Sequence, residues 1–126
     1  MGATMLRKMP VETADPSAAA PRPAPARKLA LSVVAPCFNE EAGIVEFYRR
    51  VSASVHDAGI SDYEFVLIDD GSTDATWDRI AQMAASDPHV VGIKLSRNYG
   101  HQAALTAGLA HATGDLVFIL DADLQD

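Results

Sequence analysis

The segment Tyr63–Asp74, YEFVLIDDGSTD, contains the pattern from which the fold is predicted. Its first half is a short run of apolar and β-branched residues, which is typical of a buried strand. The run ends in two aspartates and Gly71, a residue that permits a tight turn. Ser72 or Thr73 then stands where a helix N-cap is expected. The segment therefore predicts a strand, a turn and a helix, in that order.

The same unit recurs on both sides of this segment. Further apolar runs predict strands at LALSVVAP (29–36), VVGIKL (90–95) and DLVFIL (115–120), and Asn39 is a predicted N-cap. Three helices are predicted, and the residues expected on their inward faces are Ile44, Phe47, Tyr48, Val51 and Val55 before Gly59, then Trp77, Ile80, Ala81 and Ala84, then Leu105 and Leu109 before Gly114. This alternation predicts an α/β fold, a Rossmann-like parallel sheet with flanking helices in the order β-α-β-α-β-α-β.

Residues 1–28 depart from this pattern. They hold five of the seven prolines, many alanines and no apolar period. They also carry five basic and two acidic residues, a charge of +3, whereas the whole chain carries −7. This composition predicts a disordered, basic, Pro/Ala-rich arm at 1–28, which either stays solvated or contacts an anionic membrane surface. The folded domain is predicted at 29–126.

Composition also limits the classes of partner. Residues 29–126 are strongly acidic, since the whole chain carries −7 and residues 1–28 carry +3. This charge argues against nucleic acid as a partner, because neutralising phosphates requires clustered Lys and Arg. No stretch approaches the roughly 20 apolar residues of a membrane span. The single cysteine, Cys37, allows no disulfide within the chain. The stretch RKLALSVVAPC (27–37) has some features of a signal peptide, but Pro36 and the lack of a small-x-small site favour a buried strand.

Polar residues follow every predicted strand. In an open parallel α/β sheet, ligands bind beyond the carboxyl ends of the strands. The loops at these ends are 36–41, 69–72, 96–101 and 121–126, and all four hold charged or amide side chains. We expect these loops to lie along one edge of the sheet and to form a ligand site.

Asp121 and Asp123 end the last predicted strand in FILDADLQD (118–126). In an extended segment, residues two apart point the same way, so the two carboxylates would lie side by side. A cation would relieve their repulsion, and oxygen ligands suit Mg²⁺ or Mn²⁺. The alternative is a solvated, turn-forming acid pair. Asp69 and Asp70, which are expected at the same edge, favour the metal site.

Other residues in these loops each have a functional and a structural interpretation. Asp69 suits the turn, which leaves Asp70 for the N–H groups of a base or for a ribose hydroxyl. Phe38 is either a core residue or a stacking platform for a base. Arg97 pairs either with a surface acid or with a diphosphate. His101, near a helix start, suits a supporting role better than that of a base. The pattern alone leaves these alternatives open.

Four stretches of the chain carry a family resemblance: VVAPCFNEEAGI (33–44), VLIDDGSTDAT (66–76), LSRNYGHQAALTAGLAHATGD (95–115) and FILDADLQD (118–126). Together they resemble the nucleotide-binding half of a family 2, inverting glycosyltransferase with the GT-A fold. The nearest branch resembles the polyprenyl-phosphate sugar synthases, such as dolichol-phosphate mannose synthase and the bacterial undecaprenyl-phosphate glycosyltransferases. The resemblance covers nearly everything from residue 31 to residue 126.

The resemblance implies a nucleotide site and a metal site. The implied nucleotide residues are Pro36, Phe38, Glu40, Ile68, Asp70 and Asp121. Arg97 joins this set as the diphosphate partner considered above. The residues implied to bind Mg²⁺ or Mn²⁺ are Asp121, Asp123 and Gln125. In this assignment Asp70 matches the carboxylate that reads the base. The D-x-D pair matches the ligands of the metal on the donor diphosphate.

The implied reaction is transfer of a sugar from a UDP- or GDP-sugar to a polyprenyl phosphate, with inversion, at the cytoplasmic face of a membrane. Members of the family continue past the D-x-D motif with the acceptor side, the catalytic base and membrane-anchoring helices. We therefore expect a partial domain, truncated after that motif, that is catalytically silent alone. We also expect the last strand to lie at a sheet edge, with its apolar run 116–120 partly exposed.

Other families fit less well. A dinucleotide-binding domain needs G-x-G-x-x-G after the first strand, and APCFNEEAG (35–43) does not contain it. Phosphatases of the haloacid dehalogenase type carry D-x-D, but on their first strand. Two alternatives stay open: a non-catalytic nucleotide- or metal-binding fragment, and a family 2 transferase that acts on a polysaccharide or another glycan.

Overall fold

The computed structural model describes residues 3–6, as backbone, and residues 30–123. The strands are β1 (Ala3–Leu6), β2 (Leu31–Cys37), β3 (Tyr63–Asp69), β4 (Val90–Leu95) and β5 (Leu116–Ile119). The helices are α1 (Ile44–Asp57), α2 (Thr76–Ser86) and α3 (His101–His111). From β2 onward, the predicted alternation of strands and helices is confirmed.

The strands form one sheet in the order β1-β4-β3-β2-β5. The four strands from β2 to β5 are parallel, and the central pair β2 and β3 runs in register from Leu31 opposite Tyr63 to Cys37 opposite Asp69. Parallel pairing places the carboxyl ends of these strands at one edge, as expected.

The prediction of disorder for residues 1–28 is wrong at Ala3–Leu6. These residues pair antiparallel with β4, with Ala3 opposite Leu95 and Leu6 opposite Gly92. The backbone of β4 would otherwise offer unpaired N–H and C=O groups on that side, and an extended segment can pair with them without any apolar period. The remainder of the predicted arm, 1–2 and 7–28, lies outside the described residues.

Each face of the sheet packs on different helices. Along β3, Phe65 and Leu67 join the cluster covered by α1 and α2, whereas Val66 and Ile68 join the cluster covered by α3. This alternation is the period of two that a strand imposes. Both faces of the central strands are therefore buried, as the continuous apolar runs predict.

Helix α3 approaches the sheet through small residues. A Cβ on Gly108 would lie 2.5 Å from Cδ1 of Ile68 and 2.6 Å from Cγ1 of Val34, and Ala104 is fully buried. The prediction that Leu109 faces inward is wrong, because its side chain is 42% exposed. Because only small residues fit at this contact, the side of α3 that carries Ala104 and Gly108 faces the sheet. Leu109 lies outside that side and faces solvent.

The predicted N-caps are also wrong. Helix α1 begins at Ile44 after Gly43, and α2 begins at Thr76 after Ala75, so Asn39, Ser72 and Thr73 precede the caps. Their side chains instead bond between loops, as the next subsection describes. The local capping rule fails here because partners distant in sequence compete for the same polar groups.

Strand β5 lies at an edge, where it pairs with β2. The large side chains of residues 116–120 are 37–55% exposed, which confirms the expected apolar edge. An apolar groove of about 360 Å³ lies between β5 and α1, lined by residues that include Phe47, Val51 and Phe118. Within residues 30–123, no helix is long and apolar enough to cross a membrane.

Candidate functional site

A cleft of about 200 Å³ lies at the carboxyl ends of β2, β3 and β4. Its lining residues are Pro36, Cys37, Phe38, Asp70, Asn98, Gly100 and His101. Three residues of the predicted nucleotide set, Pro36, Phe38 and Asp70, therefore meet in one cavity. The cleft forms because parallel strands deliver their following loops to the same edge.

The two adjacent aspartates at the end of β3 have different surroundings. Asp69 is fully buried, and its Oδ1 accepts a hydrogen bond from the amide of Ser72 at 3.1 Å, which closes the turn. Asp70 lines the cleft, and its Oδ1 accepts from the amide of Tyr99 at 2.8 Å. Strand alternation separates the two side chains in this way. The geometry leaves Asp70, not Asp69, at the cavity.

Gly71 holds the β3 loop against the β4 loop. Its φ is +68°, and a Cβ at this position would lie 2.2 Å from the backbone N of Asn98. A side chain here would separate the two loops and with them Asp70 and Tyr99. The tight turn predicted from the sequence is thus also a close contact between two walls of the cleft.

The aromatic and sulfur side chains of the cleft differ in access. Phe38 is 44% exposed, so its ring is available to stack on a flat ligand. Cys37 is buried and donates from Sγ to the carbonyl of Ala35 at 3.4 Å. Burial raises the pKa of the Cys37 thiol, and the charges of Asp69 and Glu40 raise it further. Cys37 therefore stays protonated and serves packing, not nucleophilic chemistry.

A second group of acids lies beside the cleft. Asp121 and Asp123 are exposed, whereas Ala122 between them is 2% exposed, in keeping with the expected alternation. Burial raises the pKa of Glu40, and the charges of Asp123 and Asp74 raise it further. The D-x-D segment lies beside the β2 loop, because Ala122 joins the core cluster that also holds Cys37 and Ile44.

These carboxylates fit a divalent cation of the Mg²⁺ or Mn²⁺ type. Within residues 30–123, no three His, Cys, Asp or Glu side chains converge closely enough to hold a metal unaided. Mg²⁺, however, usually binds through one or two carboxylates and completes its shell with waters and substrate phosphates. Repelling carboxylates next to an open cleft provide this kind of partial donor set.

Other predicted site residues lie away from the cavity. Ile68 is fully buried in the core cluster under α3, so its side chain does not reach the cleft. Arg97 is exposed, with its guanidinium 4.7 Å from the ring centre of Tyr99. Gln125 lies outside the described residues. Asn98 was missed as a lining residue, although its position just after a predicted strand was a usable signal.

The loops after β2 and β3 are bonded to each other. Asn39 has a left-handed φ of +52°, which asparagine tolerates better than most residues. Its amide donates to Oγ of Ser72 at 2.9 Å, and its Oδ1 accepts from the amide of Thr73 at 2.8 Å. Because these polar groups bond between the two loops, they do not cap the helices. The same bonds hold the β2 loop, which carries Phe38 and Glu40, against the β3 loop, which carries Asp70.

Residues 32–126 match the family described as Glycosyl transferase family 2. The chain is 50% identical over 97 residues to an undecaprenyl-phosphate 4-deoxy-4-formamido-L-arabinose transferase of Shewanella sediminis (strain HAW-EB3). It is 47% identical over 96 residues to a Mycobacterium tuberculosis (strain CDC 1551 / Oshkosh) protein named as a glycosyltransferase. Each alignment covers 76% of this chain but 29% and 28%, respectively, of these relatives.

Two solved structures share the fold. The mannosyltransferase PcManGT from Pyrobaculum calidifontis, in complex with GDP-Man and Mn²⁺, superposes with a TM-score of 0.67 at 28% identity, over 78% of this chain and 28% of that one. S. aureus TarS in complex with UDP superposes with a TM-score of 0.63 at 25% identity, over 75% of this chain and 28% of that one. The chain thus belongs to glycosyltransferase family 2 and has the fold of the nucleotide-binding half of a GT-A enzyme.

Proposed function

We propose that this chain binds a nucleotide-sugar donor together with Mg²⁺ or Mn²⁺, and that the reaction it serves is transfer of the sugar, with inversion, to a polyprenyl phosphate. One observation carries the proposal: Asp70 and Phe38 share a cleft, and the D-x-D segment lies beside it, since Ala122 joins the core cluster that holds Cys37. A nucleoside diphosphate with a cation matches both parts of that arrangement.

The nucleoside end of the ligand is assigned to Phe38 and Asp70. The exposed ring of Phe38 provides a face for the base. Asp70 already accepts one hydrogen bond from Tyr99, but a carboxylate has about four acceptor positions. It can therefore also accept from the N–H groups of a base. Pro36 lines the same cavity and restricts the backbone on the β2 side.

The diphosphate end is assigned to the D-x-D pair. Asp121 and Asp123 would hold the metal, with Gln125 as the further ligand that the family resemblance implies. When bound, a divalent cation neutralises the charge that develops on the leaving nucleoside diphosphate. Glu40 gains from the same cation, because its repulsion with Asp123 is then relieved. Arg97 is the proposed charge partner of the diphosphate, reached by leaving the face of Tyr99.

Names and titles of the relatives support these classes of ligand. The name of the Shewanella sediminis relative specifies undecaprenyl phosphate and an aminoarabinose derivative. The two solved structures contain GDP-Man with Mn²⁺ and UDP. We therefore propose a GDP- or UDP-sugar as donor and a polyprenyl phosphate as acceptor. Because such an acceptor is a membrane lipid, we extend the proposal to the cytoplasmic face of a membrane.

Calorimetric titration tests the proposal directly. The chain is titrated with GDP-mannose and with UDP-glucose, each in Mn²⁺, in Mg²⁺ and in EDTA. We expect at least one donor to bind more tightly with metal than in EDTA. Absence of binding by both donors in all three conditions contradicts the proposal.

A transfer assay with undecaprenyl phosphate then separates two functions. Metal-dependent binding with transfer supports the full proposal. Metal-dependent binding without transfer favours the alternative of a nucleotide-binding domain that lacks catalysis of its own.

A further inference from the structure

A chain of hydrogen bonds links helix α2 to the loop after β2. The amide N–H of Glu40 donates to Oγ1 of Thr76 at 2.9 Å, and this hydroxyl donates to Oδ1 of Asp74. The amide of Glu41 donates to Oδ2 of Asp74 at 3.2 Å. Thr76 is fully buried. One threonine and one aspartate thus hold two consecutive amides that lie 33 and 36 residues away in sequence.

The direction of the chain is set by its first member. A backbone N–H can only donate, so the hydroxyl proton of Thr76 must point to Asp74. Burial opposes ionisation of Asp74, but the hydrogen bonds from Thr76 and Glu41 outweigh it and lower the pKa of this carboxyl. Asp74 is therefore an anionic acceptor at neutral pH, which strengthens the bonds it receives.

The result is that Glu40 is held on both sides. Its amide is bound by Thr76, and its carbonyl accepts from the amides of Gly43 and Ile44 at 3.1 and 2.8 Å. With both peptide groups held, the side chain leaves the loop in a defined direction. The D-x-D segment lies on the same side of the sheet as this loop, because Ala122 joins the core cluster that holds Cys37 and Ile44, one residue on either side of the loop 38–43.

If Asp74 only capped the start of α2, a single hydrogen bond would be enough. Oδ1 of Asp74 already accepts from the amide of Thr76 at 2.9 Å, which satisfies one free N–H at the start of α2. That bond alone would stabilise the helix. The bond from the amide of Glu41 also serves α2, because the side chain of Glu41 accepts from the amide of Ala75 at 3.2 Å. The bond from the amide of Glu40 to Thr76 does not serve α2, and it fixes the loop that carries Glu40.

We propose that Asp74 and Thr76 form a positioning clamp, which aims the Glu40 carboxylate at the metal end of the cleft without touching the ligand. The inference rests on the proposed function, because a defined position of Glu40 matters there through the cation. Asp74 and Thr76 are positioning residues in this scheme, and neither is a ligand of the metal or the nucleotide.

The test uses substitutions that remove or keep the hydroxyl. Thr76→Val keeps the branched shape and removes the link, whereas Thr76→Ser keeps the hydroxyl. Thr106→Val is the matched control, since the Thr106 hydroxyl bonds the carbonyl of Gln102 on the exposed side of α3. Each variant is titrated with GDP and with UDP in Mn²⁺ and in EDTA, and the exchange rate of the Glu40 amide is followed by NMR.

We expect Thr76→Val to reduce the Mn²⁺-dependent gain in nucleotide affinity about tenfold, the scale of one lost hydrogen bond. Affinity in EDTA should not change, exchange at Glu40 should accelerate, and Thr76→Ser should restore both. Thr106→Val should match the wild type. If Thr76→Val does not fold, Asp74→Asn replaces it, with an expected loss of about threefold, since its one oxygen keeps the uncharged bonds from Thr76 while its NH₂ group cannot accept from the amide of Glu41.

The outcomes separate the clamp from the function beneath it. If the wild type shows a Mn²⁺-dependent gain that Thr76→Val or its replacement leaves intact, the clamp is overturned and the proposed function stands. A loss that is equal in Mn²⁺ and in EDTA also overturns the clamp, because a merely structural role predicts it. If the wild type shows no Mn²⁺-dependent gain, both proposals fail.

Discussion

Carboxylates are buried at both ends of the sheet, and their surroundings differ. At the amino end, Oε2 of Glu64 accepts from Oγ of Ser32 at 2.6 Å and from the amide and hydroxyl of Thr113 at 2.6 and 3.1 Å. Oγ of Ser32 in turn accepts from the amide of Gly114 at 2.8 Å. This carboxylate thus fastens the segment between α3 and β5 to the start of β2.

At the carboxyl end, the carboxylates have fewer hydrogen-bond donors and more negative charge around them. Oδ2 of Asp69 is buried and has no hydrogen-bond partner within the part of the chain that the structure describes. Glu40 and Asp123 repel each other, and Asp74 adds a third charge to this region. A carboxylate surrounded by donors stabilises the fold, whereas carboxylates that repel one another favour binding of a cation. Residue type and burial alone do not distinguish these roles; the partners do.

The largest effect is expected where the carboxyl-end loops touch. Gly71→Ala combines a left-handed φ with a Cβ 2.2 Å from the backbone N of Asn98. We expect it to lower the free energy of unfolding by about 3 kcal/mol or more, or to prevent folding. Gly59→Ala is the control, with a similar φ of +74° and open space, and should cost about 1 kcal/mol. Equal effects in urea unfolding would show that the loop contact does not matter.

The amino-end carboxylate should affect stability but not binding. Glu64→Ala leaves the hydroxyl of Ser32 and the amide of Thr113 without their acceptor in a buried place. We expect a loss of about 2–3 kcal/mol in the free energy of unfolding. Glu46→Ala removes a surface ion pair with Arg50 and should cost less than about 0.5 kcal/mol. A Glu64 variant that is fully stable but binds nucleotide poorly would break the comparison.

The carboxyl-end acid Asp70 should behave in the opposite way. Asp70→Asn keeps an oxygen for the amide of Tyr99 but removes the charge that the proposed base contact uses. We expect nucleotide affinity to fall about tenfold, or about 1.4 kcal/mol, with a smaller change in stability. Asp69→Asn also keeps an oxygen for the amide of Ser72 but lies away from the cleft, so it should leave nucleotide affinity unchanged. If Asp69→Asn alone weakens binding at unchanged stability, the two assignments must be exchanged.

The smallest effect concerns acid unfolding at the amino end. Burial opposes ionisation of Asp87, but hydrogen bonds from the hydroxyl of Tyr48 and from His89 lower its pKa below 3.8. A carboxyl whose folded pKa is depressed adds stability above its unfolded pKa and loses it as pH falls through the folded pKa.

Asp87→Asn should therefore cost less than about 1 kcal/mol at neutral pH and flatten the fall in stability below about pH 4. Urea unfolding at a series of pH values measures this. Parallel curves for wild type and variant would contradict the assignment.

Much of the fold was predictable because the sheet imposes its period on the sequence. The apolar runs that became β2, β3 and β4 are continuous, as burial on both faces requires, and the polar residues after them mark the binding edge. Asp70 and Phe38 were found in this way. What the pattern could not reveal depends on contacts between distant segments.

Three errors illustrate that limit. Asn39 and Ser72 suit helix caps locally, but each bonds to the other's loop 33 residues away. Leu109 has an apolar side chain, yet the close approach of Gly108 to the sheet decides which way α3 faces. Pairing of residues 3–6 depends on the free side of β4, which no local composition can indicate.

The central claim is that the acids at the carboxyl end bind a cation and a nucleoside diphosphate together. Thermal melting of the chain with GDP or UDP, with Mn²⁺, with both or with neither tests it most directly. Nucleotide and metal together should raise the Tm by about 10 °C at a hundredfold excess over Kd, more than the two separate shifts combined. Asp123→Ala should abolish this excess. An unchanged Tm with both ligands, or an equal excess in Asp123→Ala, would contradict the account.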